Sequence, residues 1–512
     1  MPASPTIGLF AAPGAAAAEP IGSAPGAGFG AFGFVPLPTA PGGASVPGAV
    51  GGWVSWVVLL FSLHPSEGDN TSASATIKLC FDDIGTSSQD QQQHSCTAAC
   101  RLHDSASMSL DLLRDRGVPL EAQRFSWTEL VQPPISKLDT DAYTRVRVIL
   151  MNGIEAEANR FSHALARLYP RLQPSLAVIR RIEQHQQTMV NWLLSADHSP
   201  IETTIGYEQV AIEVTAALAQ REPDRYLASI LRFGLLEDFD HLYRFSALMD
   251  RLTGQDANAI LQSYTDILPG RPTAVEHRHP LDDLRTPYDR DTAALLSKLH
   301  ALTITAGENQ THDYYMTIGP MFPDPVARQL YAEIASIEEQ HVTQYESLID
   351  PRESALEKLL LHEACEAYNY WSCLESERDP RIRAIWERML EYELGHVHAV
   401  ATMFENVERR DAAEILGEPL RTPIEYTSQR RFVRQVLSRE LMLGASGPDL
   451  VPRAEEPERT RHYRALVNHD DVPSNIAAAG YRWHPGTELA EPEAPPRPTA
   501  NGTSKQPTGR YT

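Results

Sequence analysis

Cysteine is scarce in this chain: five in 512 residues (Cys80, Cys96, Cys100, Cys365 and Cys373), with no Cys-x-x-Cys pair among them. That excludes a disulfide framework and any rubredoxin-type or thioredoxin-type centre, and it fits a reducing compartment. Long apolar runs are also missing. The longest, WVSWVVLLFSL over 53–63, is about half of what a bilayer-spanning helix needs, and no Lys or Arg precedes it to form a signal-peptide n-region. A soluble, cytoplasmic protein without a membrane partner is expected. Basic charge is in deficit, with 45 Lys+Arg against 67 Asp+Glu and a net charge of -22, which repels phosphate and argues against nucleic acid as a partner. Residues 1–66 lack almost all charge, with Glu19 the one acid, no Lys or Arg, and twelve of the thirty glycines. Such a segment is expected to be disordered.

The same expectation extends to about residue 107, where Met108 opens ordinary composition and is a candidate translation start. Within that extension His94, Cys96, Cys100 and His103 are dense, but their spacing fits no usual structural zinc site. The remaining length is too great for one compact core. From about Asp141 apolar residues recur at spacings of three and four, punctuated by prolines, and predict eight helices near 142–168, 174–195, 202–221, 224–252, 290–318, 325–349, 352–376 and 379–407. The Pro- and charge-rich stretch 268–287 reads as a linker dividing a first unit, 108–267, from a second, 288–420. In 421–512 a basic segment, RRFVRQVLSREL over 430–441, reads as a surface or packing helix, and from about Glu488 the tail is expected to be disordered.

The two units are copies of one design. Glu183 and Glu338, Glu208 and Glu363, Asp238 and Glu393, and His241 and His396 are each separated by 155 residues, the mark of an internal repeat. In the second copy every helix carries an acid near its middle: Glu308, Glu338, Glu363 with Glu366, and Glu393. Two of these are followed three residues later by His341 and His396, and residues three apart share one helix face. Among eighteen histidines roughly one Glu-x-x-His arises by chance, so either motif alone is more often a solvated face. Both, on the proper pair of four helices, match the inventory of a dinuclear carboxylate centre, in which Glu comes from two helices and Glu-x-x-His from the other two. Buried together, these acids are prohibitive without cations, and mixed oxygen and imidazole donors suit iron or manganese.

The segments TAGENQTHDYY (305–315), IEEQHVTQYESL (337–348), HEACEAYNYW (362–371) and YELGHVHAV (392–400) resemble the ligand helices of rubrerythrins in the ferritin-like superfamily. The resemblance implies an all-α chain of two ferritin-like four-helix bundles in tandem. It also implies a pair of iron ions, or manganese, held by Glu308, Glu338, His341, Glu363, Glu393 and His396. Glu366 would be the additional third-helix carboxylate of rubrerythrins and Tyr315 the tyrosine beside the site, these two lying closest to the chemistry. The implied activity is reduction of peroxide or dioxygen. Oxygenation of an organic substrate, or iron binding without turnover, are the alternatives, and a homo-oligomer is compatible. Because no rubredoxin domain is present, electrons would come from a separate donor protein.

The first copy departs from the pattern, with Gln186 in the place of His341, Ala211 in that of Glu366, and Gly153 in that of Glu308 unless Glu155 or Glu157 serves instead. Glu155, Glu183, Glu208, Asp238 and His241 remain as a possible second metal site, with His185 nearby. The ligands of the second and third helices are only 25 residues apart in both copies. A connection running the length of a bundle needs about ten extended residues. Either each copy is an up-down-up-down bundle, or helix pairs are exchanged so that Glu308, Glu338 and His341 meet Glu208, Asp238 and His241.

Overall fold

The computed structural model describes residues 109–194 and 197–483. The expectations for residues 1–107, Met108, the His94–His103 cluster and the tail beyond Glu488 lie outside them. The described chain is mainly helical, and its one sheet among the described residues is a two-stranded hairpin.

Eight long helices follow the sequence pattern closely. They are α1 (Ala142–Leu168), α2 (Gln173–Asn191), α3 (Pro200–Arg221), α4 (Arg225–Thr253), α5 (Leu295–Ile318), α6 (Pro325–Glu346), α7 (Ala355–Ser376) and α8 (Pro380–Glu408). Their ends are set by local chemistry that repeats with the 155-residue offset. Ser199 with Glu202 and Ser354 with Glu357 form capping boxes at the starts of α3 and α7, and Asp224 and Asp379 cap α4 and α8. The latter two helices end on left-handed residues, Gly254 at φ 67° and Arg409 at φ 59°.

The helices pack as four sequential hairpins, α1 with α2, α3 with α4, α5 with α6 and α7 with α8. The first helix of each hairpin faces inward, so that α1, α3, α5 and α7 touch one another across the centre. Apolar packing divides in two. One core includes Leu176, Ile179, Met189, Trp386, Val397 and Phe404, and the other Ile205, Ile212, Phe239, Phe245, Tyr331 and Ile334. Full burial of such side chains contributes about 1.5–3 kcal/mol each.

The stretch 268–287 is not a spacer. Gly270 lies against the α4 backbone, where a Cβ would stand 2.4 Å from the Leu236 carbonyl, and the Arg271 N–H donates to that carbonyl at 2.8 Å. Residues 117–123 do the same to α8: the Val118 N–H donates to the Glu391 carbonyl at 2.7 Å, and a Cβ on Gly117 would stand 2.1 Å from the Gly395 nitrogen. Each glycine is followed by x-Pro and a 3-10 turn, Leu120–Ala122 or Thr273–Val275. The segment read as a linker is therefore the opening of the second copy, and the repeat begins near Gly117.

After α8, helix α9 (Arg430–Glu440) packs on α4, with Arg430 and Arg434 both paired to Asp266. The segment 421–483 holds more structure than the sequence reading anticipated. The hairpin β1 (Leu443–Ser446) and β2 (Asp449–Pro452) pairs Gly444 with Val451, and α10 (Glu458–Val467) and α11 (Pro473–Ala477) follow. The last of these covers α6, where Ser474 donates to Glu333.

Candidate metal centres

The acids and histidines do not assort by copy. Asp238, Glu308, Glu338 and His341 offer ligand atoms all within 4.8 Å of one another, and Glu208, His241 and Glu338 form an overlapping group on the same criterion. This first cluster is built by α3 and α4 of the first copy and α5 and α6 of the second. In the second cluster Glu183, Glu363 and His396 form one such group and Glu155, Glu366 and Glu393 another, carried by α1, α2, α7 and α8. The single centre expected from the second copy is thus divided: Glu308, Glu338 and His341 go to one cluster and Glu363, Glu366, Glu393 and His396 to the other. The expected first-copy set divides likewise, Glu208, Asp238 and His241 from Glu155 and Glu183. Reach excludes a lengthwise crossover: only eight residues, 347–354, join α6 to α7, too few to run back along the 22-residue α7, which spans about 33 Å at 1.5 Å per residue. Of the two arrangements left, the assortment of the ligands is that of exchanged helix pairs.

In the first cluster the His341 Nδ1 lies 3.1 Å from Glu338, 3.2 Å from Asp238 and 3.7 Å from Glu308, while the His241 Nδ1 lies 3.0 Å from Glu338. The two imidazoles stack with centroids 5.8 Å apart. Their outer nitrogens are held by carboxylates, His241 Nε2 by Glu276 and His341 Nε2 by Glu237, both at 2.9 Å. Burial opposes the charged form of both rings, but the carboxylates at their two nitrogens outweigh it and raise both imidazoles above their usual range, and Nδ1 of each faces the cluster. Glu237 is in turn met by Arg271 at 3.1 Å and Arg278 at 2.6 Å. The Tyr315 hydroxyl donates to Glu208, placing this tyrosine at the first cluster.

In the second cluster the His396 Nδ1 lies 3.1 Å from Glu393 and 3.7 Å from Glu363, and its Nε2 is held by the Gln123 amide oxygen at 2.8 Å. Gln186 occupies the histidine position of α2 and donates its amide to Glu393. The Tyr370 hydroxyl donates to Glu155. Glu157 is bonded by Asn309 instead, so of the two candidates on α1 it is Glu155 that reaches the cluster. His185 does not: its ring meets Phe125 and Trp127.

All these ligand groups are 0–2% exposed, and many carboxylate oxygens have no hydrogen-bond partner among the described residues. Both oxygens of Asp238, Glu183, Glu308 and Glu366 are in that state, as is one each of Glu155, Glu208 and Glu363. Burial pushes the Glu308 carboxyl well above its usual range, reinforced by Asp238, and raises Glu366 in the same way, reinforced by Glu393 and Glu155. It drives Glu183 up to about 7. At Glu338 burial acts upward too, but His241 and His341 outweigh it and hold the carboxyl below its usual range. Dry, mutually repelling carboxylates beside inward-facing imidazole nitrogens fit cations, which would supply positive charge in place of the ring protons. Either cluster could hold metal ions.

Sequence reasoning missed Glu237, Glu276, Gln123 and Tyr370. Glu237 stood next to a stronger candidate, Asp238. Gln123 and Glu276 each lie six residues beyond a Gly-x-Pro at Gly117 or Gly270, 153 residues apart like Glu155 and Glu308, and that spacing could have exposed them. Cys365 and Cys373 are buried and free.

The fold and its clusters define a mainly helical protein with two buried carboxylate–histidine sites able to bind metal. No family model matches the chain, and no curated protein or solved structure is significantly similar to it. No helix among the described residues is long and apolar enough to cross a membrane.

Proposed function

We propose that this chain is a ferritin-like, rubrerythrin-like non-haem di-iron oxidoreductase that reduces peroxide or dioxygen, with two four-helix bundles made by exchange of hairpins between its copies. The observation that carries the reading is the overlap of two ligand groups on Glu338 beside buried carboxylate oxygens without a hydrogen-bond partner among the described residues. Glu208, Asp238, His241, Glu308, Glu338 and His341 would hold one pair of cations, and Glu155, Glu183, Glu363, Glu366, Glu393 and His396 another. Iron in such a site supplies Lewis acidity and the capacity to store and release electrons.

The chain's own residues bind, orient and exclude water. Glu276 and Glu237 hold the ring planes of His241 and His341 and, with a cation at Nδ1, would keep the remaining ring proton on Nε2. The Tyr315 hydroxyl is positioned to pass a proton at the Glu208 oxygen. Reduction of peroxide to water consumes electrons and protons in equal number, the electrons coming from a separate donor protein. A cavity of about 10 Å³ beside Glu308, lined by Leu150, Val210, Ala211, Val214 and Gly307, is the size of about one water molecule. That favours a small oxidant over an organic substrate.

The test is metal analysis and optical spectroscopy of the purified protein. About one iron per ligand group is expected, with a ferric absorption that bleaches on reduction and returns with peroxide. Protein that folds but takes up no iron would refute the reading, and uptake far beyond this number would point to storage.

A further inference from the structure

The two clusters occupy equivalent places in the repeat, yet their donor sets differ in charge. The first has four carboxylates (Glu208, Asp238, Glu308 and Glu338) and two imidazoles; the second has five (Glu155, Glu183, Glu363, Glu366 and Glu393) and one imidazole, His396. Two exchanges distinguish the sets, and only the second of them changes the charge. Gln186 stands where the first cluster has His341, and its amide is spent on Glu393. Glu366 stands where the first cluster has Ala211, a residue that lines the small cavity beside Glu308. Glu366 has both oxygens buried and without a hydrogen-bond partner, so its charge is answered by no group of the chain.

Two divalent cations would neutralise the first donor set and leave the second with one uncompensated negative charge in a site almost without solvent. Such a charge is expensive in a dry interior. Among the described residues no Lys or Arg forms an ion pair with the second donor set: Arg180 acts on Glu183 only from a distance, its guanidinium bonded to the Ser162 carbonyl, and the group behind His396 is the neutral amide of Gln123. Around the first cluster Glu237 is met by Arg271 and Arg278, which Glu456 and Asp283 share, and Glu276 is held by His241. Oxygen-rich donor sets are also the harder ones.

Resting on the reading that both clusters hold metal, we infer that they are selective for different cation charge. The juxtaposition of Glu155, Glu183, Glu363, Glu366 and Glu393 around a single imidazole is a site for one divalent and one trivalent cation, whereas the cluster of His241 and His341 takes two divalent cations.

The experiment uses redox-inert probes, zinc(II) and gallium(III), added together to the metal-free full-length chain, with bound ions counted after gel filtration. About one gallium per chain is expected. Glu366→Gln should weaken gallium binding about ten-fold or more, the lower end of what disturbing a metal site costs, while zinc in the first cluster is unchanged. Ala211→Glu, which adds a carboxylate to the first cluster, should create a second gallium site, and it covers the case in which Glu366→Gln fails to fold. Gallium bound equally by both clusters, left unmoved in the second by Glu366→Gln, or not gained in the first by Ala211→Glu, overturns the inference while leaving metal binding intact. A folded chain that binds neither ion refutes the metal reading itself.

Discussion

Glu213, on α3 and outside both clusters, accepts hydrogen bonds from Tyr143, Thr265 and the Gln429 N–H, yet burial still pushes its carboxyl up to about 7 from an ordinary 4.5. Between those values the folded chain holds a proton that the unfolded chain has released, so this group makes stability fall as pH rises through that window. The metal-free protein should lose on the order of 3 kcal/mol from Glu213 alone across it, and Glu213→Gln should flatten the urea midpoint against pH; an unchanged slope would show that burial is not the cause. A second residue-scale expectation concerns Glu276, the carboxylate behind His241. Glu276→Gln gives His241 the kind of partner His396 already has, and should lower metal affinity at the first cluster by about 10–100-fold in chelator competition. The ligand acids were visible in the sequence because residues three apart on a helix share a face. Glu276 was not, because it sits in an irregular segment whose contact with α4 no periodicity announces.

At the scale of elements, helix boundaries were the most legible feature, since caps and prolines act within a few residues of where they stand. Pro200, Pro325 and Pro380 begin helices, and the cap residues recur in both copies. The repeat also exposes a local defect. Where the first copy ends α4 on Gly254, the second ends α8 on Arg409 at φ 59°, a conformation that costs a residue with a Cβ about 1–2 kcal/mol. Arg409→Gly should therefore stabilise the protein, by about 0.5–1 kcal/mol once the glycine's greater unfolded-state freedom is subtracted. A urea midpoint that does not rise would mean that the Arg409 side chain supplies compensating contacts. The segment 268–287 was misread for the converse reason. Its prolines and charges look like a solvated spacer, whereas Arg271 and Arg278 are fully buried because Glu237, Asp283 and Glu456 meet them.

For the whole molecule the decisive fact is that hairpins α5–α6 and α7–α8, adjacent in sequence, serve different clusters. Glu338→Ala and Glu393→Ala, both in the second copy, should each remove metal from one cluster and spare the other, so that each variant keeps about half of the bound metal and the double variant keeps almost none. If either substitution alone empties both clusters, the exchange is wrong. Length, charge pattern and spacing within the chain determined by themselves that the protein is helical, that it is duplicated, and which side chains point inward, because each of those properties is settled within a few turns of helix. Which hairpin faces which was decided only in three dimensions. The two copies present nearly equivalent apolar and acidic faces, so local preference does not discriminate between them. The short connection at 347–354 excludes only a lengthwise crossover; the choice between the remaining pairings falls to the packing of the inner helices α1, α3, α5 and α7.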